Sequence, residues 1–155
     1  MNEEFMAEAI SLSIEKMQQS EGGPFGAVVV RNGEVVGRGW NMVTSTNDPS
    51  AHAEIVAIRD ACRKLGVFWL GDCEIYVNCE PCPMCLAAVY WAGIRKLYYA
   101  AERRDAADVG FGDDYIGREI SKPAEDRDLA VEQAMREKAL EAFEIWDKME
   151  GKIEY

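Results

Sequence analysis

The feature that most constrains this chain is a split pattern, His52-Ala53-Glu54 followed by Pro81-Cys82-Pro83-Met84-Cys85. His52 is the only histidine among 155 residues, and it stands thirty positions before Cys82. One imidazole and two thiolates suit zinc, and a catalytic zinc site takes three protein ligands and leaves a fourth position open. A fold for this chain therefore has to bring two distant segments to one point. Cys82 and Cys85 are three residues apart at a helix start marked by Pro83, so they face the same way. A helix N-terminus also favours thiolate over thiol. Asp48, Pro49 and Ser50 supply helix-start chemistry just before His52, which places that ligand at a second helix N-terminus.

Glu54 lies two residues from His52, in the same helical turn. It can reach a site at the helix start without ligating the metal. Taken alone it is a first-turn acid that complements the helix dipole. Beside three zinc ligands it becomes a proton carrier, because zinc lowers the pKa of a bound water from ~15.7 to about 7 and the proton released needs an acceptor. A structural zinc site would need a fourth ligand, and Cys79 is the nearby candidate, at an awkward strand-to-loop position.

Around these motifs, apolar residues at helical spacing span 3–19 and end at Gly22-Gly23-Pro24. Ala27–Val30 and Val35–Trp40 read as strands joined by Asn32-Gly33, a strong type I′ hairpin signal. A polar loop over 41–51 leads into an amphipathic helix that Gly66 stops. Glu74–Asn78 reads as a strand, Pro83 to about Ala92 as a helix, and Lys96–Ala101 as another strand. An acidic, Gly-containing loop around 105–114 and a short helical piece come next, then a long amphipathic helix over 126–149. A hairpin followed by strand–helix alternation implies an α/β fold, a mixed sheet with helices on both faces. There are no repeats or linkers, so residues 1–155 are expected to form one domain.

Composition narrows the function classes. The net charge is −11, with 12 acidic and 8 basic side chains up to residue 100 and 16 against 9 beyond it. Nucleic-acid binding draws most of its affinity from Lys and Arg on phosphates, so an acidic chain with an acidic tail disfavours that partner. No apolar run approaches the ~20 residues of a membrane span, and the start Met1-Asn2-Glu3-Glu4 lacks the basic region of a signal peptide. Five cysteines, an odd number with three inside seven residues, point to metal chemistry in a reducing compartment rather than a disulfide framework. The expected location is cytoplasmic.

H-x-E with P-C-x-x-C is the signature of the zinc-dependent nucleobase deaminases, and this chain resembles that family at His52-Ala53-Glu54 and Pro81–Cys85. The resemblance implies a cytidine deaminase-like three-layer α/β/α sandwich around a five-stranded-type mixed sheet, one Zn²⁺ per subunit, and hydrolytic loss of ammonia from an amino-substituted heterocycle. Within the family the chain looks most like the small bacterial-type guanine deaminases. That similarity is carried by Gly22–Val28, Asn47–Glu54, Cys79–Cys85, Tyr90-Trp91-Ala92 and the terminal Tyr155.

Position by position, that likeness implies zinc on His52, Cys82 and Cys85, and Glu54 as the proton shuttle. Asn41 would offer an amide donor and acceptor to a purine edge, and Ala53 its backbone N–H to the purine carbonyl. Phe25 and Trp91 would wall the ring. Asp113 would be a second acid, although the run Gly110-Phe111-Gly112-Asp113-Asp114 departs from the family's adjacent acids after Gly-Phe and leaves open which one enters the site. Tyr155 would cap the pocket of a partner subunit after exchange of segment 126–155 in a homodimer. The implied reaction is guanine to xanthine and ammonia. The other readings are a tRNA adenosine deaminase, a deaminase of cytosine or a triazine, and a zinc-stabilised interaction protein without activity.

Overall fold

Asn32 and Gly33 take φ of 53° and 80°, the two positive values that a type I′ turn requires. The computed structural model of the chain describes residues 1–154. The turn joins β1 (Gly26–Arg31) to β2 (Glu34–Trp40), and the register slips between Val29 and Val30, a bulge that adds one residue on β2. β3 (Cys73–Cys79) pairs antiparallel with the other edge of β1, and β4 (Lys96–Ala101) pairs parallel with β3. The order is β2-β1-β3-β4. The parallel pair needs a crossover, which α4 (Pro83–Trp91) supplies.

Strand alternation sorts the core into two faces. Ala27, Val29, Ile75 and Val77 pack with Ala57 and Ala61 of α3 (Ala53–Leu65) and with Val89 of α4. Val28, Val30 and Tyr76 pack on the opposite face with Met6 and Ala9 of α1 (Glu3–Gln18). The result is the three-layer α/β/α sandwich expected. Each fully buried Val or Ile contributes about 1.5–3 kcal/mol, so β1 and β3 form the stable frame on which the helix starts are mounted.

Gly39 sets how closely α3 approaches that frame. A Cβ there would lie 2.1 Å from the Ala53 carbonyl oxygen and 2.4 Å from the Ala57 nitrogen. Gly39→Ala is therefore expected to cost about 1–3 kcal/mol in a denaturant titration, as overpacking does. A variant within about 0.5 kcal/mol of the parent would contradict this seating.

Four features differ from expectation. The sheet has four strands among the described residues, not five. After Ala101, a capping box in which Glu102 and Asp105 bond each other's backbone N–H starts α5 (Arg103–Asp108), so a helix replaces part of the expected loop. A further short helix, α2 (Val43–Thr46), lies within the loop over 41–51. The long helix expected over 126–149 is confined to α7 (Arg136–Lys148), behind a 3₁₀ turn at Ala124–Asp126. Arg127 donates to the Ile120 and Lys122 carbonyls, and the Asp128 N–H donates to Glu119, so this stretch turns back along α6 (Asp114–Ser121) instead of propagating a helix.

Internal contacts divide the chain into two units, Met1–Gly117 with the sheet and its covering helices, and Arg118 onward with α7. No helix among the described residues is long and apolar enough to cross a membrane.

Candidate metal centre and active site

His52 is the N-cap residue of α3 and Cys82 that of α4, where Pro83 opens the helix. The Cys82 Sγ accepts the Cys85 backbone N–H at 3.5 Å. The seating of α3 against β2 and of α4 beside β3 brings the two helix starts together. His52 Nδ1 lies 3.6 Å from Cys82 Sγ and 3.4 Å from Cys85 Sγ. Zn–S bonds of about 2.3 Å and Zn–N bonds of about 2.0–2.1 Å set at tetrahedral angles give an N···S edge of about 3.5 Å. The donor set fits zinc in both chemistry and spacing.

The Cys82 thiol is brought down to about 4 by the Cys85 thiol, against the cost of burial and with help from His52 and the Cys85 N–H. That partnership and burial push Cys85 up, while the hydrogen bond to Cys82 pushes His52 up. Among the described residues, the group able to hold a metal is His52, Cys82 and Cys85 alone. Cys79 turns aside, its Sγ 3.6 Å from the Glu102 carbonyl oxygen, so the closed four-ligand alternative is not assembled.

Glu54 is buried, 7 % exposed, on the first turn of α3 and lines the same cavity of about 230 Å³. Burial pushes its carboxyl up. The backbone, Cys85 and His52 oppose that, and the negative Cys82 adds to it. A carboxyl raised by burial beside a metal site is suited to taking and returning a proton. Of the two acids left open by the sequence, Asp113 lines the cavity, whereas Asp114 is exposed in the first turn of α6.

Asn41 is 8 % exposed and lines the cavity, but its Oδ1 already accepts the N–H groups of Gly23 at 3.1 Å and Val43 at 3.3 Å. Nδ2 is the side of the amide with no hydrogen bond to these two groups. Phe25 forms a wall of the cavity with Phe111, ring centroids 5.0 Å apart and edge to face. Ala53 lines the cavity as the first residue of α3, where backbone N–H groups lack intrahelical partners.

Trp91 lies elsewhere, 70 % exposed at the end of α4 and outside the cavity lining. Tyr155 lies outside the described residues. Sequence reasoning did not single out Phe111, Asn78, Glu80 or Arg103, all of which line the cavity. Asn78 accepts the Gly26 N–H and donates to the Pro24 carbonyl, clamping the turn that carries Phe25. No local pattern announces these contacts. The Gly-Phe-Gly run around Phe111 was the one available signal.

Residues 1–101 match the model of the cytidine and deoxycytidylate deaminase zinc-binding region. The chain belongs to this deaminase family. Its zinc is accordingly the cofactor of a hydrolytic enzyme, at a centre whose donors the geometry has already brought together. Among deaminases, the chain is 47% identical over 154 residues to the guanine deaminase of Bacillus subtilis (strain 168), covering 99% of each. An X-ray structure of guanine deaminase from Bacillus subtilis superimposes with a TM-score of 0.97 at 48% identity, over 100% of this chain and 99% of the other. A deaminase of another substrate, the tRNA-specific adenosine deaminase of Agrobacterium fabrum (strain C58 / ATCC 33970), is 49% identical over 79 residues, covering 51% of this chain and 52% of that one.

Proposed function

We propose that the chain is a zinc-dependent guanine deaminase that hydrolyses guanine to xanthine and ammonia. The observation that carries this reading is the extent of the likeness. It runs over 99% of the chain with the Bacillus subtilis guanine deaminase, and over about half to two thirds of it with tRNA-specific adenosine deaminases. The acidic composition also disfavours a tRNA partner.

His52, Cys82 and Cys85 would hold the zinc. Bound there, it would supply hydroxide at neutral pH by lowering the pKa of water to about 7. Glu54 takes the proton released from the nucleophile and passes it to the ring nitrogen beside the carbon that bears the amino group; it then takes the proton of the newly added hydroxyl and gives it to the departing amine as the carbonyl forms. A C–O bond forms, the C–N bond breaks, and one water is consumed for each ammonia. Asp113 accepts from the amino group, Asn41 Nδ2 donates to a ring acceptor, and the Ala53 N–H meets the purine carbonyl. Phe25 and Phe111 enclose the ring, and a cavity of about 230 Å³ suits a small planar ligand.

The enzyme in this reading is a cytoplasmic homodimer of a single deaminase domain, with segment 126–155 exchanged so that Tyr155 caps the partner's pocket. Support for pairing comes from the exposed aromatic residues Trp69, Tyr90 and Trp91, since exposed apolar surface of this kind marks interfaces.

Purified protein offered guanine, adenine, cytosine, an amino-triazine and a tRNA anticodon stem-loop should release ammonia from guanine, with xanthine in equal amount. The same preparation should weigh twice 17.4 kDa in solution. Ammonia from the stem-loop but not from guanine would reject the assignment, and none from any substrate would favour the interaction protein.

A further inference from the structure

Arg103 lines the cavity together with Glu54 and Asp113, yet the chemistry above gives it no part. It opens α5, directly after the capping residue Glu102. One end of its guanidinium is anchored, with Nη2 donating to the Pro81 carbonyl at 3.0 Å and to Glu80 Oε1 at 3.3 Å. Its backbone N–H donates to the other Glu80 oxygen at 3.4 Å. Pro81 directly precedes Cys82, so this anchor sits on the loop that delivers two of the three proposed zinc ligands.

The other end faces Asp113. Nε lies 3.7 Å from Asp113 Oδ2, beyond hydrogen-bond range. Nε and Asp113 Oδ1 are both buried without a hydrogen-bond partner. Leaving a buried donor and a buried acceptor unpaired costs free energy; a small approach along the present contact would pair Nε with Oδ2, and Oδ1 is left to accept from a ligand. Burial pushes the Asp113 carboxyl up, and the Arg103 charge opposes this. The planar fork of arginine can hold two partners at fixed angles, which a lysine cannot.

We propose that Arg103 is a positioning residue for the deamination: anchored on Glu80 and Pro81, it aims the Asp113 carboxylate at the substrate amino group. This rests on the guanine reading above. Because Arg103 acts through Asp113, the two residues form one unit, and their losses do not add.

The test is a double-mutant cycle on the zinc-loaded dimer, using R103M, D113N and the pair. Steady-state kinetics are read with zinc content and with the calorimetric affinity for xanthine. R103M is expected to lower kcat about 10- to 100-fold, as misplacing a reacting group does, with KM within about threefold and one zinc per chain. In the D113N background, R103M should cost less than about twofold more. R103K should fall between R103M and the parent, and it carries the same cycle if R103M fails to fold. Wild-type kcat in R103M or in D113N would overturn the proposal, as would losses that multiply. If the parent is inactive on guanine, the functional reading fails by itself. The cycle is then run on whichever substrate releases ammonia, which keeps the two failures apart.

Discussion

Replacing Glu54 with Gln should leave one zinc per chain and lower kcat on guanine about 10²- to 10⁴-fold, the range for loss of a positioned acid–base group. Gln fills the same volume beside Cys85 at the start of α3, so the metal ligands are not disturbed. It cannot accept a proton from the nucleophile or return one to the ring. The buried setting of Glu54 makes the effect large, because little water reaches that point to act in its place. Xanthine affinity in the variant should stay near the parent value, separating lost chemistry from lost binding. Near-normal turnover with zinc retained would sink the assigned role.

Loss of the metal should be more complete. Cys82→Ser and His52→Ala are each expected to abolish zinc retention after dialysis and, with it, activity. Cys79→Ser should keep both, since its thiol faces the Glu102 carbonyl and not the metal group. Stability should follow the metal, because a ligand bound only to the folded state stabilises it by about 2.7 kcal/mol at a hundred times its Kd. Chelation should therefore lower the melting temperature of the parent, and returned zinc should restore it, while Cys82→Ser should respond to neither treatment. A Cys79→Ser protein that loses its zinc would move the centre to a four-ligand site.

The parts of this molecule legible from sequence are those governed by local chemistry. Asn32-Gly33 required a tight turn, Gly66 a helix stop in the left-handed region and Pro83 a helix start, and each stands where expected. The His52 and Cys82/Cys85 motifs were legible because each sits at a helix N-terminus and each contributes side chains that face one way. The α/β/α layering followed from the apolar alternation of β1 and β3, which bury opposite faces against different helices.

What escaped was decided by partners distant in sequence or by unusual caps. Glu102 is a less common N-cap than Ser or Asp, so the helix that replaced the acidic loop carried a faint signal. The helical periodicity through 126–135 was overruled by Arg127 and Asp128, which hold onto α6. In the site, Asn41 spends its amide oxygen on Gly23, eighteen residues away, and Asn78 braces Pro24 and Gly26 across more than fifty. Asp113 and Asp114 are alike and adjacent in the sequence, and only the fold puts Asp113 in the cavity lining and Asp114 in the exposed first turn of α6.

Everything else rests on a three-ligand zinc centre with one position left open. X-ray absorption at the zinc edge of the purified protein reads that centre directly. Two sulfur donors at about 2.3 Å and two lighter donors at about 2.0–2.1 Å, one of the latter exchanging when an anion is added, is the predicted result. Three sulfur donors, or a shell of four that no added anion perturbs, would contradict it.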